Sequence, residues 1–317
     1  MPGSDKSDVL SEVFSALRIR SEIYFRAALG EGAAVLVPPE KRRVRFHLVL
    51  QGQCWVGTGG SAPIQLSEGD IVLIPNGASQ VVSADRDAKP MALQDAIRGG
   101  GLRDGVLRGG DGALRAMLLC GFCRFDESID HPVLANLPPV IHLCLSDLDA
   151  EPWLAATLKL LALEAGLDAQ GTTAVVGRLI EVVVIQATRR LAAAQLGNGF
   201  IFALSDAGLS RALRAIHRMP EKAWSVGDLA GQAGMSRARF ADRFTETVGM
   251  PPIEYLTRWR LMKARALLAD TALSIDSIAE QCGYASLPSF SRRFKNQFGV
   301  GPGAFRRSQR GLAPGRD

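Results

Sequence analysis

The stretch CGYASLPSFSRRFK, residues 282–295, decides the fold of the C-terminal part of the chain. A Gly-aromatic turn and a serine precede two phenylalanines, Phe290 and Phe294, which are four residues apart. Residues four apart lie on one face of a helix, so this spacing predicts a helix with both rings in a core. Arg292 and Arg293, between the rings, then lie on the outward face and at its border.

A very similar segment occurs about fifty residues earlier. SVGDLAGQAGMSRARFADRFTETVGM begins at Ser225, and SIDSIAEQCGYASLPSFSRRFKNQFGVG begins at Ser274. In each copy a serine is placed to cap a first helix and a glycine to end it, and a second serine, Ser236 or Ser286, is placed to cap the second helix. The repeat therefore predicts two helix-turn-helix units, at about residues 225–248 and 274–298.

The second helix of each unit has a small outward face bordered by arginines when its phenylalanines face the core. This shape suits the major groove of DNA, where outward residues read base edges and flanking residues hold phosphates. A single basic helix is more often a solvated surface helix, but two matched copies favour DNA binding. The predicted DNA-binding residues are Arg237, Ala238, Arg239, Asp242, Arg243, Ser286, Ser289, Arg292, Arg293, Lys295 and Asn296.

The residues between the two units, PPIEYLTRWRLMKARALLAD, predict a connecting helix from Pro252 to about Ala269. Its apolar side includes Tyr255 and Trp259. A continuous helix would hold both units rigidly, so that both second helices can enter successive segments of the major groove.

The segment from about Ser205 to Arg307 resembles the DNA-binding domain of AraC/XylS-type bacterial transcription regulators. The resemblance rests on DLAGQAGMSRARFADRF, YLTRWRLMKARALL and IAEQCGYASLPSFSRRFKNQFGVGPGAFR. It implies a sequence-specific regulator that binds double-stranded DNA, and also RNA polymerase if it is an activator. Asp242 occupies the outward position that Arg292 fills in the second unit. A carboxylate there repels phosphate and can accept a hydrogen bond from a cytosine amino group. The second helix of the first unit is therefore expected to contribute to sequence readout but little to binding affinity.

Charge and composition agree with this interpretation. Residues 236–317 contain 14 Lys or Arg against 7 Asp or Glu, whereas the whole chain of 317 residues has a net charge of only +5. The length predicts two domains. The sequence contains neither an apolar run long enough for a membrane span nor a signal peptide, and its five scattered cysteines favour reduced thiols, so a cytoplasmic location is expected.

The N-terminal half predicts an antiparallel β-barrel or sandwich. Short runs rich in Val, Ile and Leu, among them AAVLV, RFHLVLQG, CWVGT, APIQL and GDIVLIP, alternate with Gly, Pro and Ser turns over residues 33–84. The glycine-rich residues 95–114 predict a mobile loop, and residues 114–125 predict a further strand.

The segment EGDIVLIPNGASQ, residues 68–80, resembles the second cupin motif, although Gln80 replaces its usual metal-binding histidine. Upstream, only His47 is available as a ligand of the first motif. The resemblance implies a cupin-like barrel without a cupin-type metal site, and no cofactor is expected.

Two apolar helices, EPWLAATLKLLALEAG and TAVVGRLIEVVVIQATRRLAAAQL, follow from Glu151. Apolar residues cover more than one face of the second helix, which predicts that this hairpin pairs two subunits into a homodimer. The arrangement resembles AraC-type regulators with a cupin-like effector domain. It implies a small-molecule or stress signal, with His47, Trp55 and Gln80 as the candidate effector pocket.

Cys120 and Cys123 form a CxxC motif on a predicted strand. Residues three apart on a strand point to opposite faces, which disfavours joint metal ligation unless the chain bends at Gly121. Buried structural cysteines are therefore expected. A thiol switch, or a zinc site that includes the downstream His131 or His142, is the alternative.

Together these features predict an α+β multidomain protein, with a cupin-like β-barrel, a helical hairpin and an all-α domain containing two helix-turn-helix motifs. The predicted bounds are 1–145 for the cupin-like sensor domain, 146–204 for the helical dimerisation segment and linker, and 205–310 for the DNA-binding domain. The alternative functions are a cupin-type enzyme fused to a DNA-binding domain, or a regulator whose N-terminal domain serves only to dimerise.

Overall fold

The computed structural model describes residues 8–59, 62–126, 131–148, 151–167, 169–195 and 199–311. The chain divides into two compact units, each built from separate stretches of sequence. The sheet unit comprises Arg18–Glu127 and Leu137–Leu191, and the helical unit comprises Met1–Leu17, Ser128–Asn136 and Ala192–Asp317.

The elements follow one another in the order α1 (Val9–Leu17), β1 (Arg20–Gly30), β2 (Ala34–Val37), β3 (Arg43–Thr58), β4 (Ile64–Ser67), β5 (Ile71–Ile74), β6 (Gln80–Ser83), β7 (Met91–Ala92), α2 (Leu93–Arg98), β8 (Leu102–Arg103), β9 (Val106–Gly109), β10 (Leu114–Arg124), α3 (Pro132–Ala135), β11 (Ile141–Leu143), a 3-10 turn (Leu145–Asp147), α4 (Pro152–Gly166), α5 (Thr172–Ala193), α6 (Gly199–Ser205), α7 (Ala207–Arg218), α8 (Val226–Ala233), α9 (Arg237–Val248), α10 (Pro252–Asp270), α11 (Ile275–Gln281), α12 (Leu287–Phe298) and α13 (Pro302–Gly311).

The strands of the sheet unit form a cupin-like half-barrel. Their order is β7-β2-β6-β3-β10-β1-β9-β8, with β4 and β5 also paired to β3, and β11 paired to β5. The long strand β3 connects both parts of the sheet, because its first half pairs with β10 and β5 and its second half with β4 and β6. The two segments predicted as separate strands, 45–52 and 54–58, are therefore one strand.

Gly52 lies where β3 changes pairing partners from β10 to β4, and its φ is +77°. A Cβ atom at this position would lie 2.1 Å from the carbonyl oxygen of Arg115, so only glycine fits. The interior of the half-barrel is mainly apolar and includes Leu66, Val72 and Leu118, which are fully buried.

The prediction of a mobile loop over residues 95–114 is wrong. This stretch contains most of α2, the strands β8 and β9, and the beginning of β10. β9 pairs with β1 in parallel, and Leu107 is buried in the core of the half-barrel. Several of its glycines, among them Gly100, Gly105 and Gly110, have positive φ and form the turns between short elements. The pairing partner β1 was not predicted either.

The predicted hairpin helices are α4 and α5, and they belong to the sheet unit. α5 packs on β1, where the Ser21 hydroxyl donates to the carbonyl of Gly177 at 2.7 Å. The predicted bounds at 145 and 204 stay predictions, and residues 196–198 of the predicted linker lie outside the described ranges. None of the described helices is both long and apolar enough to cross a bilayer.

Both helix-turn-helix units form as predicted, as α8–α9 and α11–α12. Ser225 and Asp228 make a reciprocal capping box at the start of α8, and Gly234 ends that helix with φ +70°. Ser236 and Ser286 occupy the N-cap positions of α9 and α12, but neither side chain makes a cap hydrogen bond.

The second helices pack as the sequence predicts, because Phe240, Phe244, Phe290 and Phe294 are all fully buried. α10 extends from Pro252 to Asp270 between the two helix-turn-helix units, in agreement with the predicted connecting helix. The helix α6 was not predicted. Phe200, which α6 contributes to the core of the helical unit, is fully buried.

Candidate nucleic-acid interface

The predicted DNA-binding residues lie on the faces of α9 and α12 that point away from the buried phenylalanines. On α9, Arg237, Ala238, Arg239 and Asp242 are exposed and Arg243 is half-buried. On α12, Ser289 is half-buried. The other predicted residues of this helix and its N-cap are exposed: Ser286, Arg292, Arg293, Lys295 and Asn296. Each helix thus presents a continuous polar and basic strip to solvent.

Most of these arginines are free to bind another molecule. Within the described part of the chain, Arg237, Arg239 and Arg292 form no ion pair, although other arginines of the helical unit do. An unpaired guanidinium keeps five donors available for phosphate or for the base edge of guanine. The outward strips therefore have the donors that a major-groove contact requires.

Arg243 differs, because it forms an ion pair with Asp206, the N-cap residue of α7. The Asp206 carboxylate also accepts from the backbone N–H groups of Gly208 and Leu209. Burial acts to raise the pKa of Asp206, but these hydrogen bonds and Arg243 outweigh it, and the pKa lies below its usual value. Arg243 thereby fixes α9 to the start of α7.

The helix α10 packs against α6, α7 and the N-cap residue of α3 through an aromatic and histidine cluster that sequence reasoning missed. Tyr255 is buried, and its hydroxyl lies between Nε2 of His217 at 2.7 Å and Nε2 of His131 at 3.3 Å. Trp259 packs on His217 with ring centroids 4.0 Å apart. Tyr255 and Trp259 are recognisable as the apolar side of a helix, but no local pattern indicates the two histidines as their partners.

Inside the half-barrel, His47 and Gln80 meet as the candidate effector pocket requires. His47 Nε2 lies 3.0 Å from Gln80 Nε2, and His47 Nδ1 lies 3.2 Å from Cys120 Sγ. Burial, with a smaller effect of Arg45, lowers the pKa of His47 to about 4, so the imidazole is neutral at pH 7. The Gln80 Oε1 atom is buried and has no hydrogen-bond partner among the described residues.

Trp55 is not part of this group. Its neighbours Cys54 and Val56 belong to the interior core, so alternation along β3 directs Trp55 to the outer face. There the guanidinium of Arg86 lies 5.5 Å from the centre of the Trp55 ring. The structure thus brings together two of the three residues predicted for the pocket.

Cys120 and Cys123 are both buried, free thiols on opposite faces of β10. Cys120 belongs to the interior core and contacts His47. Cys123 is opposite Ser21 in the strand register, on the side that faces α5. Burial raises the pKa of both thiols, which favours the unreactive protonated form.

The arrangement of a half-barrel joined to paired helix-turn-helix units defines a DNA-binding regulator. Comparison with known proteins agrees. A family model described as "Cupin" matches residues 8–193, and one described as "Helix-turn-helix domain" matches residues 229–308. The chain belongs to the family of AraC-like transcription regulators.

A putative AraC-like transcription regulator of Streptomyces antibioticus is 32% identical over 310 residues, which cover 95% of this chain and 98% of that protein. The HTH-type transcriptional regulator AlkR of Acinetobacter baylyi is 31% identical over 305 residues, which cover 94% and 99%. Among solved structures, the DNA-binding domain of AdpA in complex with a target DNA is 31% identical, with a TM-score of 0.33. It covers 35% of this chain and 100% of that one.

Proposed function

We propose that this regulator reads its DNA site through the outward strips of α9 and α12. In this proposal α10 holds the two helices in positions from which both contact the same DNA duplex. The observation that carries this proposal is the pair of matched helices, each with two fully buried phenylalanines beneath exposed arginines that form no ion pair with any described residue. Phosphate and base-edge contacts both need such free donors.

The two helices take different parts in the contact. On α12, Arg292 and Arg293 supply charge and bidentate donors, so this helix provides most of the affinity. On α9, Asp242 is exposed at the matching outward position, where its carboxylate disfavours phosphate and selects a cytosine amino group. α9 therefore contributes mainly to specificity.

The test begins with selection of bound sequences from random DNA, which gives a specific site. Arg292→Ala is expected to weaken binding to that site by about 1–3 kcal/mol and to reduce the ratio of specific to random binding. Arg98→Ala removes one exposed positive charge from α2 in the sheet unit and serves as the matched control. An unchanged specificity ratio for Arg292→Ala would exclude this side chain from base readout.

The regulator acts as a homodimer that pairs through α4. One face of α4 packs inward through Leu154, Leu158, Leu161 and Ala165, and the opposite face exposes Trp153, Ala156, Leu160 and Leu163. The exposed residues follow the alternating spacing of three and four that forms a coiled-coil seam. The Leu163 side chain is 71% exposed, and this exposure of apolar surface does not stabilise a monomer.

The exposed stripe limits the proposed dimer contact to α4, whereas the sequence predicts a contact through the whole hairpin of α4 and α5. The apolar residues of α5 are mostly used within the sheet unit, where Val176, Ile180 and Val183 are buried. Sedimentation of the full-length protein at micromolar concentration should give a dimer, and Leu163→Glu should dissociate it. Lys159→Glu, on the adjacent exposed position of the same helix, should leave the dimer intact. A monomeric wild-type protein would contradict the proposal.

The half-barrel senses a small molecule and has no catalytic activity of its own. In support, the interior places a neutral imidazole, a thiol and an amide whose oxygen has no hydrogen-bond partner among the described residues close together. These groups suit hydrogen bonding to a ligand better than acid–base catalysis. A ligand that raises the melting temperature of wild-type protein but not of Gln80→Leu would support a sensor. A purely dimerising half-barrel would show no such ligand. Transcription with purified RNA polymerase, with and without ligand, would test activation.

A further inference from the structure

Three side chains with metal-binding atoms meet at one end of β5 and β11. A carboxylate oxygen of Asp70, a ring nitrogen of His142 and the sulfur of Cys144 all lie within 4.8 Å of one another. His142 Nε2 is 3.3 Å from Asp70 Oδ2. This cluster is separate from Cys120 and Cys123.

The strand register explains why these three residues converge. β11 and β5 are antiparallel, with His142 opposite Val72 and Leu143 opposite Ile71. If this register is continued by one residue beyond the paired strands, it places Cys144 opposite Asp70. Side chains two apart on a strand share a face, so His142 and Cys144 point to the same side as Asp70. The spacing of two allows joint ligation, which the spacing of three in the CxxC motif does not.

The Asp70 carboxylate is held in place by the backbone. The N–H of Ser67 donates to Oδ2 and the N–H of Leu145 donates to Oδ1, both at 2.9 Å. Asp70 is 4% exposed, and within the described ranges its ion-pair partner is His142 alone. A buried carboxylate is costly without a compensating positive charge. A divalent cation beside Oδ2 would supply it.

We propose that Asp70, His142 and Cys144 bind a zinc ion, with water as the fourth ligand. A thiolate, an imidazole and a carboxylate together suit zinc, whereas magnesium and calcium prefer oxygen ligands only. Tetrahedral zinc sets neighbouring ligand atoms about 3.3–3.6 Å apart. The Asp70–His142 distance already matches, and a side-chain rotation of Cys144 completes the set.

The surroundings support the loaded state. The Cys144 sulfur lies 3.0 Å from the Ser146 hydroxyl, which can donate to the thiolate that forms when the thiol proton passes to solvent. His142 and Cys144 are only partly buried, so an ion can enter and a water can reach it. The bound zinc joins the turn before β5 to the residue after β11, and it thereby stabilises the pairing of these strands.

The test uses reduced, full-length protein that has been stripped with a chelator and then titrated with cobalt(II). One equivalent should bind and produce a near-ultraviolet thiolate-to-cobalt charge-transfer band, which zinc then displaces. Cys144→Ala should abolish the band and weaken zinc binding by at least about tenfold, since a direct ligand is lost. Cys282→Ala, which removes a buried thiol from the helical unit, should keep both.

His142→Gln is a second variant that does not depend on the thiol. It should weaken zinc binding while circular dichroism of the metal-free protein stays unchanged. The proposal is overturned if the band persists in Cys144→Ala, if Cys123→Ala removes it instead, or if the wild-type protein binds less than stoichiometric cobalt. DNA binding is a separate measurement, and its loss or retention does not decide the zinc site.

Discussion

The Tyr255 hydroxyl donates a hydrogen bond to Nε2 of His217 at 2.7 Å, in the middle of a directional chain of four side chains. The backbone N–H of Val133 donates to His131 Nδ1, so neutral His131 has its proton on Nε2 and donates to the Tyr255 oxygen. His217 in turn uses its Nδ1 proton toward the Glu12 carboxylate at 3.1 Å. Every proton in the chain therefore has a defined acceptor.

Tyr255→Phe should destabilise the helical unit by about 1–3 kcal/mol, because it leaves polar atoms of two buried histidines without a partner. The ring packing against Phe200 and Phe244 is retained in the variant, so the loss reports on the hydroxyl. Thermal unfolding followed by calorimetry measures the change.

Tyr284→Phe is the matched control for this experiment. The Tyr284 hydroxyl is buried and has no hydrogen-bond partner in the described part of the chain. Its removal should be neutral or slightly stabilising. Equal losses for the two variants would show that the hydrogen bonds of Tyr255 contribute nothing specific.

The stability of the sheet unit should fall as the pH is lowered from about 6.5 to 4. The pKa of His47 is about 4 in the folded protein because burial disfavours the charged ring, and about 6.5 in the unfolded chain. Between these values the unfolded state binds a proton that the folded state does not. The free energy of unfolding therefore decreases by about 1.4 kcal/mol per pH unit in this window.

His47→Gln should remove this contribution from the unfolding transition of the sheet unit. His131 and His217 also have lowered pKa values owing to burial, and they should preserve the acid sensitivity of the helical unit in the same variant. Calorimetry at pH 7, 6 and 5 compares the two transitions. Identical slopes in wild-type and variant protein would show that His47 is not the responsible group.

Gly283→Ala should destabilise the second helix-turn-helix unit more than Gly299→Ala, by about 1–3 kcal/mol. Both glycines have φ near +77°, so an alanine pays a similar conformational cost at each. At Gly283, however, the new Cβ would lie 2.7 Å from the carbonyl oxygen of Glu221 and from Nη2 of Arg260. At Gly299 it meets open space. Equal melting temperatures for the two variants would contradict this close approach.

Arg243→Ala should lower stability and leave base discrimination unchanged. The ion pair with Asp206 joins α9 to α7, but the Arg243 side chain is 39% exposed, so its loss should cost about 1 kcal/mol or less. Calorimetry and competition between specific and random DNA give the two readouts. A reduced specificity ratio with unchanged stability would place Arg243 in the DNA contact instead.

The sequence predicts best what neighbouring residues determine. The capping box at Ser225, the turn glycines and the paired phenylalanines are local signals, and the structure contains both predicted helix-turn-helix units. The parallel pairing of β9 with β1 depends on residues that are far apart in the chain. The many glycines around β9 favour the prediction of a loop there. The same holds for the partners of Tyr255.

For the candidate sites, the outward strips follow from the helical period and could be predicted residue by residue. The Asp70, His142 and Cys144 cluster depends on the register between two strands about seventy residues apart, which no local pattern reveals. Trp55 shows the opposite difficulty. Successive residues of a strand point to opposite faces of the sheet. The strand was predicted correctly, but Trp55 was assigned to the inner face and lies on the outer one.

The chain passes between the two units four times, since the helical unit takes α1 and residues 128–136 as well as the C-terminal helices. A C-terminal fragment that starts at Gly199 would carry His217 without Glu12 and Tyr255 without His131. A single backbone cleavage thus releases neither half intact. Fragments made for crystallisation or NMR would keep their native hydrogen bonding only if both the N-terminal helix and the segment that contains His131 were supplied along with them.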